Sequence, residues 1–124
     1  MIDKRKFYIN GQWVDPVDGK DHHVINPSTE EAVAVISLGG AADTDAAVLA
    51  AKAAFPAWMA TSLEDRIALV ERLIDVYKTR MEELAQAMSL EMGAPIDMAR
   101  TQQVNAGLGH LKNFIRAAKN LGMD

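Results

Sequence analysis

The stretch FYINGQWV, residues 7–14, places two runs of strand-forming residues on either side of Asn10-Gly11. A two-residue type I′ turn needs a positive φ at both central positions, and Asn-Gly meets that demand at little steric cost. This stretch therefore predicts a β-hairpin near the start of the chain.

A second pair of β-prone runs follows, at residues 24–25 and 32–36. Between them, Pro27 pushes the residue before it towards extended geometry, and the Ser/Thr/Glu cluster after it favours a turn. Four short strands are too few to close a barrel. We therefore expect residues 1–40 to form β-hairpins that extend or cover the edge of a larger sheet.

Apolar residues at spacings of three and four dominate residues 41–124 and predict about four α-helices. The first helix is expected to begin near Asp43 or Thr44, which are good N-cap types, and to stop before Pro56. The second helix is expected to begin at Ser62, because serine accepts hydrogen bonds from backbone N–H groups that a helix start leaves unpaired.

Capping signals also bound the third helix. Thr79 and Glu82 have the spacing of a capping box, and Gly93 fits the left-handed position just past the last turn. Glu91 lies in that last turn, where a carboxylate opposes the negative end of the helix dipole. Solvent, a basic side chain or a cation should therefore compensate the negative charge of Glu91.

The fourth helix is expected to run from about residue 95 or 97 to Asn120, with Gly122 as its end signal. Gly107 and Gly109 lie inside it, and each glycine costs about 1 kcal/mol relative to alanine in an exposed helix interior. Close approach of the backbone of another element at these two positions would explain their presence.

Composition excludes several classes of function. Apolar residues make up 49% of the chain and charged residues 24%, which is typical of globular proteins. The formal net charge of -4 argues against a nucleic-acid partner. With no cysteine, the chain offers no disulfide and no thiolate nucleophile. Neither a secretory signal nor a run of ~18 apolar residues is present, so we expect a cytoplasmic protein with no membrane partner.

Few side chains fall in patterns suited to catalysis. His22 and His23 are adjacent on a predicted strand and would point to opposite faces, so they rarely bind one metal ion together. Gly107-Leu108-Gly109 lies within a predicted helix, whereas a phosphate cradle needs backbone N–H groups at a helix start. The residues by themselves thus indicate no catalytic and no cofactor-binding site.

Taken in order, several segments resemble the start of proteins in the aldehyde dehydrogenase superfamily. These segments are Phe7–Trp13, Val24–Glu31, the alanine-rich helix Asp45–Phe55, Trp58, Arg66 and Glu91–Pro95. The resemblance extends from about Phe7 to Leu121. It implies an α/β parent fold with a Rossmann-like cofactor domain, of which residues 1–124 would be the N-terminal part. The family's catalytic domain and oligomerisation domain would be absent from this chain.

The resemblance also implies a reaction. Members of the family oxidise a small-molecule aldehyde to a carboxylic acid with NAD or NADP, through a thiohemiacetal on a cysteine. The catalytic cysteine, the general-base glutamate, the oxyanion-hole asparagine and the cofactor-binding segment have no counterpart here. We therefore expect this chain alone to be inactive and to bind no cofactor.

One binding site is implied by the resemblance. Family members often hold a monovalent cation between a backbone carbonyl in the strand before Asn-Pro and a carboxylate ahead of the Gly-x-Pro turn. Those positions match Ile25 and Glu91 in this sequence. A third ligand would have to come from outside this chain.

Two other interpretations stay open. The chain is an autonomous interaction module that docks partners on the broad apolar faces of its second and fourth helices, or it is a regulatory partner of full-length subunits. If the chain is instead a segment of a larger enzyme core, its apolar stripes are left uncovered. The enzyme interpretation therefore predicts a homo-oligomer formed through exposed helix faces. An autonomous module would be monomeric.

Overall fold

The computed structural model describes residues 1–121. The chain divides into two compact units, Met1–Ala60 and Thr61–Asp124. Strands precede helices along the chain, as the sequence predicts. Within the described residues, every helix is too short or too polar to span a lipid bilayer.

The first unit begins with short strands, named here in chain order: β1 Ile2–Lys4, β2 Phe7–Ile9, β3 Gln12–Val14, β4 Lys20–Asn26 and β5 Glu31–Leu38. Strands β2 and β3 pair antiparallel, with Phe7 opposite Val14. Between them φ is 52° at Asn10 and 76° at Gly11, so both turn residues are left-handed. The hairpin predicted from Asn-Gly is confirmed.

The second hairpin is also confirmed, and it belongs to a three-stranded sheet of order β1-β5-β4. Strands β4 and β5 pair antiparallel around a turn in which the Glu30 N–H donates to the Asn26 carbonyl over 2.8 Å. Glu30 itself has a φ of 59°. The polar cluster after Pro27 therefore turns the chain as expected.

Strand β1 is an addition to the predicted architecture, because it pairs parallel with β5 and raises the number of strands from four to five. Its three residues show no strand pattern of their own, and their pairing depends on the free edge of β5. Arg5 follows the strand and binds the Asp3 carboxylate at 2.7 Å and the Asp21 carboxylate at 3.3 Å.

Helix α1, Ala41–Met59, is longer than predicted at both ends. It begins after Gly40, so Asp43 is not the N-cap residue; it lies in the first turn, where its carboxylate accepts from the Gly40 N–H. At the other end it continues through Pro56, so the predicted stop was wrong. Proline removes one backbone donor, yet Pro56 lies in the last turn of an exposed helix, where water can reach the Lys52 carbonyl left without its partner.

The second unit is helical throughout its described part. Its elements are α2 Leu63–Thr79, α3 Met81–Met92, α4 Ile96–Met98, the π-helical segment Ala99–Gln103 and α5 Val104–Leu121. The sequence predicted one regular helix over most of this last stretch. Instead, the Val104 N–H donates to the Ala99 carbonyl, five residues back, so that one extra residue is inserted. The predicted end signal, Gly122, lies outside the described residues.

In the described part of the second unit, capping is predicted correctly at two of three boundaries. Ser62 caps α2 by accepting from the Asp65 N–H over 3.0 Å, and Gly93 follows α3 with a φ of 68°. The capping box at Thr79 is wrong, because Thr79 ends α2 and its hydroxyl donates to the Val76 carbonyl over 2.7 Å. A hydroxyl already bonded within its own helix does not start the next one.

The core of the second unit contains the fully buried side chains of Ala85, Ala99 and Val104. Against them pack the partly buried Tyr77, Met81, Leu84, Met88 and Ile96. A Cβ at Gly107 would overlap the Tyr77 hydroxyl and lie 3.1 Å from the ring carbon that bears it, whereas Gly109 faces open space. The predicted close approach of another backbone is therefore wrong at both glycines: at Gly107 it is the Tyr77 side chain that lies close.

Candidate functional site

Ile25, the first of the two predicted cation ligands, lies on β4 beside an irregularity in the sheet. Val24 pairs with Ala34 and Ile25 with Ala32, so one residue of β5 is skipped between them. Such a bulge locally disrupts the ladder of backbone hydrogen bonds. The Ile25 residue is half exposed, at 48%. The Ile25 backbone thus lies at an irregular position of the sheet, next to the bulge.

Glu91, the second predicted ligand, lies in the last turn of α3 as expected. It is exposed, and within residues 1–121 its carboxylate makes no hydrogen bond or ion pair. The turn that follows is fixed by Gly93 and by the Ser89 hydroxyl, which donates to the Ala94 carbonyl over 2.8 Å. No basic side chain among these residues compensates the carboxylate, which leaves solvent or a cation for that role.

The two predicted ligands belong to different units, Ile25 to the first and Glu91 to the second. Within the described residues, no cluster of three or more His, Cys, Asp or Glu side chains is placed to hold a metal ion.

Two motifs were not expected to form a binding site, the histidine pair and the glycine pair. Both lie on the elements predicted for them. On β4, His22 lies opposite Ile36 and His23 opposite Val35, so neighbouring imidazoles alternate between the faces of the sheet. Gly107 and Gly109 lie within α5, which continues without a break from the π-helical segment Ala99–Gln103. Their backbone N–H groups are therefore not those of a helix start, and the pair does not form a phosphate cradle.

One polar cluster that sequence spacing does not reveal lies at the π-helical segment. Arg100 donates to Glu82 at the start of α3 through Nε at 3.0 Å and Nη2 at 2.6 Å, and Gln86 also donates to it at 2.8 Å. These bonds, chiefly those from Arg100, lower the pKa of Glu82 to about 2. The two charged residues are 18 positions apart, so only the fold brings them together.

The buried carboxylate of the first unit is Asp43, which is 7% exposed. One of its oxygens accepts from the Val17 N–H and the other from the Gly40 N–H, both over 2.9 Å. Hydrogen bonds to the charged form, first that of Val17 and then that of Gly40, lower the pKa of Asp43. This carboxylate therefore ties the loop before β4 to the start of α1, a structural role.

Comparison with known proteins identifies the family. Residues 13–124 match the aldehyde dehydrogenase family. The 3-succinoylsemialdehyde-pyridine dehydrogenase of a Pseudomonas species is 44% identical over 98% of this chain and 25% of its own length. The chain thus spans about a quarter of the length of this curated relative.

Solved structures give the same result. An aldehyde dehydrogenase from Bartonella henselae superimposes with a TM-score of 0.96 at 51% identity, over 98% of this chain and 26% of the other. Aldehyde dehydrogenase C of Pseudomonas syringae, a mutant complexed with NAD+ and octanal, superimposes with a TM-score of 0.90 at 45% identity, over 94% and 24%. The family match, the sequence identity and the shared fold agree, and this chain belongs to the aldehyde dehydrogenase family.

Proposed function

We propose that this chain is the N-terminal part of the cofactor-binding domain of an enzyme that oxidises an aldehyde to a carboxylic acid with NAD or NADP. The family match over residues 13–124 carries the proposal. The complex of the Pseudomonas syringae relative with NAD+ and octanal supports both the cofactor class and the substrate class. Residues 1–40 would contribute the strands of this part and residues 41–124 its helices.

The isolated chain is proposed to be inactive. Oxidation through a thiohemiacetal needs a thiolate nucleophile, and the chain contains no cysteine. Hydride transfer also needs a nicotinamide held beside that nucleophile. The catalytic and oligomerisation domains of the family would supply the missing groups in the intact enzyme, which we place in the cytoplasm.

The cation site is proposed for the intact enzyme. Its ligands here are the Ile25 carbonyl and the Glu91 carboxylate, with a third ligand from outside this chain. Two features support it: the bulge in the sheet beside Ile25, and the position of Glu91 at a helix C-terminus, where the helix dipole disfavours a carboxylate. A bound monovalent cation would offset that charge.

The homo-oligomer is proposed from exposed apolar helix faces. On α1, three exposed side chains at spacings of seven and four share one side of the helix: Val48, Phe55 and Met59, with exposures of 51%, 56% and 62%. Apolar stripes of this kind favour association with another copy. Light scattering on the isolated chain at several concentrations tests this directly, since a monomer at every concentration contradicts it.

A chimeric enzyme tests the main proposal. This chain would replace the matching quarter of the Bartonella henselae relative, and aldehyde-dependent reduction of NAD+ and of NADP+ would be measured. We expect turnover in the chimera and none in the isolated chain. A folded chimera without activity contradicts the proposal, and so does turnover by the isolated chain.

A further inference from the structure

The turn between β2 and β3 presents an asparagine followed by a glycine to solvent. Both residues are exposed, with a φ of 52° at Asn10 and of 76° at Gly11. A Cβ built on Gly11 would meet no atom within 4 Å. The peptide bond that joins the two residues is therefore open to reagents in solvent.

The backbone nitrogen of Gly11 takes no part in the hydrogen bonding of the hairpin. The two strands pair as far as Ile9 opposite Gln12, so the ladder ends outside the two turn residues. Within residues 1–121, the Gly11 N–H donates to no acceptor and the Asn10 side-chain amide makes no hydrogen bond. Removal of the Gly11 N–H proton therefore breaks no hydrogen bond among these residues.

From this geometry we propose that Asn10 is a site of spontaneous covalent modification, at which the side-chain amide is lost as ammonia and isoaspartate is formed. Hydroxide removes the proton from the Gly11 backbone nitrogen, and this nitrogen attacks the Asn10 Cγ. A C–N bond forms between these two atoms, and the side-chain nitrogen leaves as ammonia after it takes a proton from water. The product of this step is a cyclic succinimide.

Water then opens the succinimide ring at one of its two C–N bonds. Cleavage of the bond to Cγ gives aspartate, and cleavage of the bond to the backbone carbonyl carbon gives isoaspartate. The net reaction consumes one water molecule and releases one ammonia molecule, so no oxidant, reductant or enzyme is needed. The Asn10-Gly11 turn contains both reacting groups, and solvent supplies the rest.

Glycine at position 11 is what makes the attack possible. A side chain there would crowd the backbone nitrogen as it approaches Cγ, and glycine has none. Asparagine is itself among the thermolabile residues. The same dipeptide that predicts the hairpin thus gives the turn a chemical weakness.

The remaining asparagines lack this combination of an accessible nitrogen and a following glycine. They are Asn26, Asn105, Asn113 and Asn120. Asn26 precedes Pro27, whose nitrogen carries no proton to remove. The other three lie within α5, where backbone N–H groups are bonded along the helix and the next residue has a Cβ. Modification is therefore expected at Asn10 and not at these positions.

The isoaspartate product should change the hairpin, whereas the aspartate product should not. Aspartate visits left-handed geometry as asparagine does. Isoaspartate instead routes the main chain through Cβ, which adds one backbone atom to a two-residue turn. The rings of Tyr8 and Trp13, whose centroids lie 5.1 Å apart across the strands, would lose the alignment that the short turn imposes.

Incubation of the chain at mildly alkaline pH, followed by peptide mapping with mass detection, tests the site. We expect aspartate and isoaspartate at position 10, formed at least tenfold faster than at Asn105 or Asn113. Complete retention of the Asn10 amide contradicts the proposal, and so do equal rates at the three asparagines.

A pair of variants tests the role of the glycine. Gly11→Ala should slow the reaction at Asn10 at least tenfold, because its Cβ crowds the attacking nitrogen. Gly109→Ala is the matched control, since its added Cβ also meets open space but lies on α5. An unchanged rate in Gly11→Ala contradicts the proposal.

NMR spectroscopy of the separated isoaspartate form tests the effect on the hairpin. The contact between the Tyr8 and Trp13 rings should be lost in this form and retained in Asn10→Asp, which has the same charge and an unaltered main chain. Retention of the ring contact in both proteins contradicts the expected opening of the hairpin.

Discussion

The Tyr77 hydroxyl donates a hydrogen bond to the Val104 carbonyl oxygen over 2.8 Å, at the point where the π-helical segment gives way to α5. The same ring occupies the space that a side chain at Gly107 would need. One tyrosine therefore joins α2 to α5 and accounts for a glycine in a helix interior.

We expect coupled effects of substitution at these two positions. Tyr77→Phe should lower the free energy of unfolding by about 1 kcal/mol, since it leaves a carbonyl without one donor. Gly107→Ala should lower it by roughly 1–3 kcal/mol through overlap with the Tyr77 hydroxyl. The double variant should cost less than the sum, because removing the hydroxyl makes room for the new methyl group.

Urea denaturation of the four proteins measures this coupling, and strict additivity contradicts it. Gly109→Ala is the matched control. Nothing lies within 4 Å of its added Cβ, so it should stabilise the chain by up to about 1 kcal/mol through helix propensity alone.

The Glu82–Arg100 ion pair predicts that the stability of the fold depends on pH in the acid range. The pKa of Glu82 is lowered from 4.5 to about 2 by the bonds from Arg100 and Gln86, so its stabilising contribution is complete above pH 4.5 and is lost as the pH falls towards 2. Arg100→Gln should raise the midpoint of the Glu82 carboxyl towards 4.5. Titration followed by NMR measures that midpoint, and an unchanged value in the variant would rule out Arg100 as the cause.

Replacement of Asp43 is expected to loosen the loop that precedes β4. Asp43→Ala removes the acceptor for the Val17 and Gly40 N–H groups and leaves both without a partner, so the thermal midpoint should fall by several degrees. Because hydrogen bonding lowers the pKa of Asp43, its contribution is present above the ordinary aspartate pKa and weakens as the pH falls below it.

Asp45→Ala is the control for Asp43, since Asp45 lies on the same helix but is exposed. Thermal unfolding by circular dichroism compares the two variants. Hydrogen exchange at the Val17 amide should accelerate only in Asp43→Ala, and equal effects of both substitutions would contradict the role given to Asp43.

Glu91 predicts a response to alkali cations in the chimeric enzyme. Potassium or sodium should raise its thermal midpoint above that in tetramethylammonium at equal ionic strength, because the bound ion offsets a carboxylate at a helix C-terminus. Glu91→Gln should remove this difference. The same cation response in both proteins would exclude Glu91 as a ligand.

The candidate cation site combines features from the sequence pattern, from the family resemblance and from the structure. The sequence places Glu91 in the last turn of a helix and Gly93 just past it, and both placements are confirmed. Its pairing with Ile25 came from family resemblance and stays a proposal. The bulge beside Ile25 is visible only in the structure, since it depends on how β4 and β5 align.

Features that the sequence determined by itself depend on residues a few positions apart. Asn10-Gly11 takes left-handed geometry, Ser62 bonds to the N–H of Asp65, and Gly93 ends α3, each for reasons contained in its own segment. Local conformational preference is enough to decide such features. For that reason the order of strands and helices was predicted correctly.

Tertiary structure alone decided the features that join distant parts of each unit. Strand β1 exists because β5 offers it an edge, the π-helical segment carries Arg100 to Glu82, and Tyr77 explains Gly107. In each case the free energy comes from a partner far away in sequence, and local propensities of a few tenths of a kcal/mol per residue are too small to oppose it. Packing therefore overrides the local pattern wherever a distant partner is available.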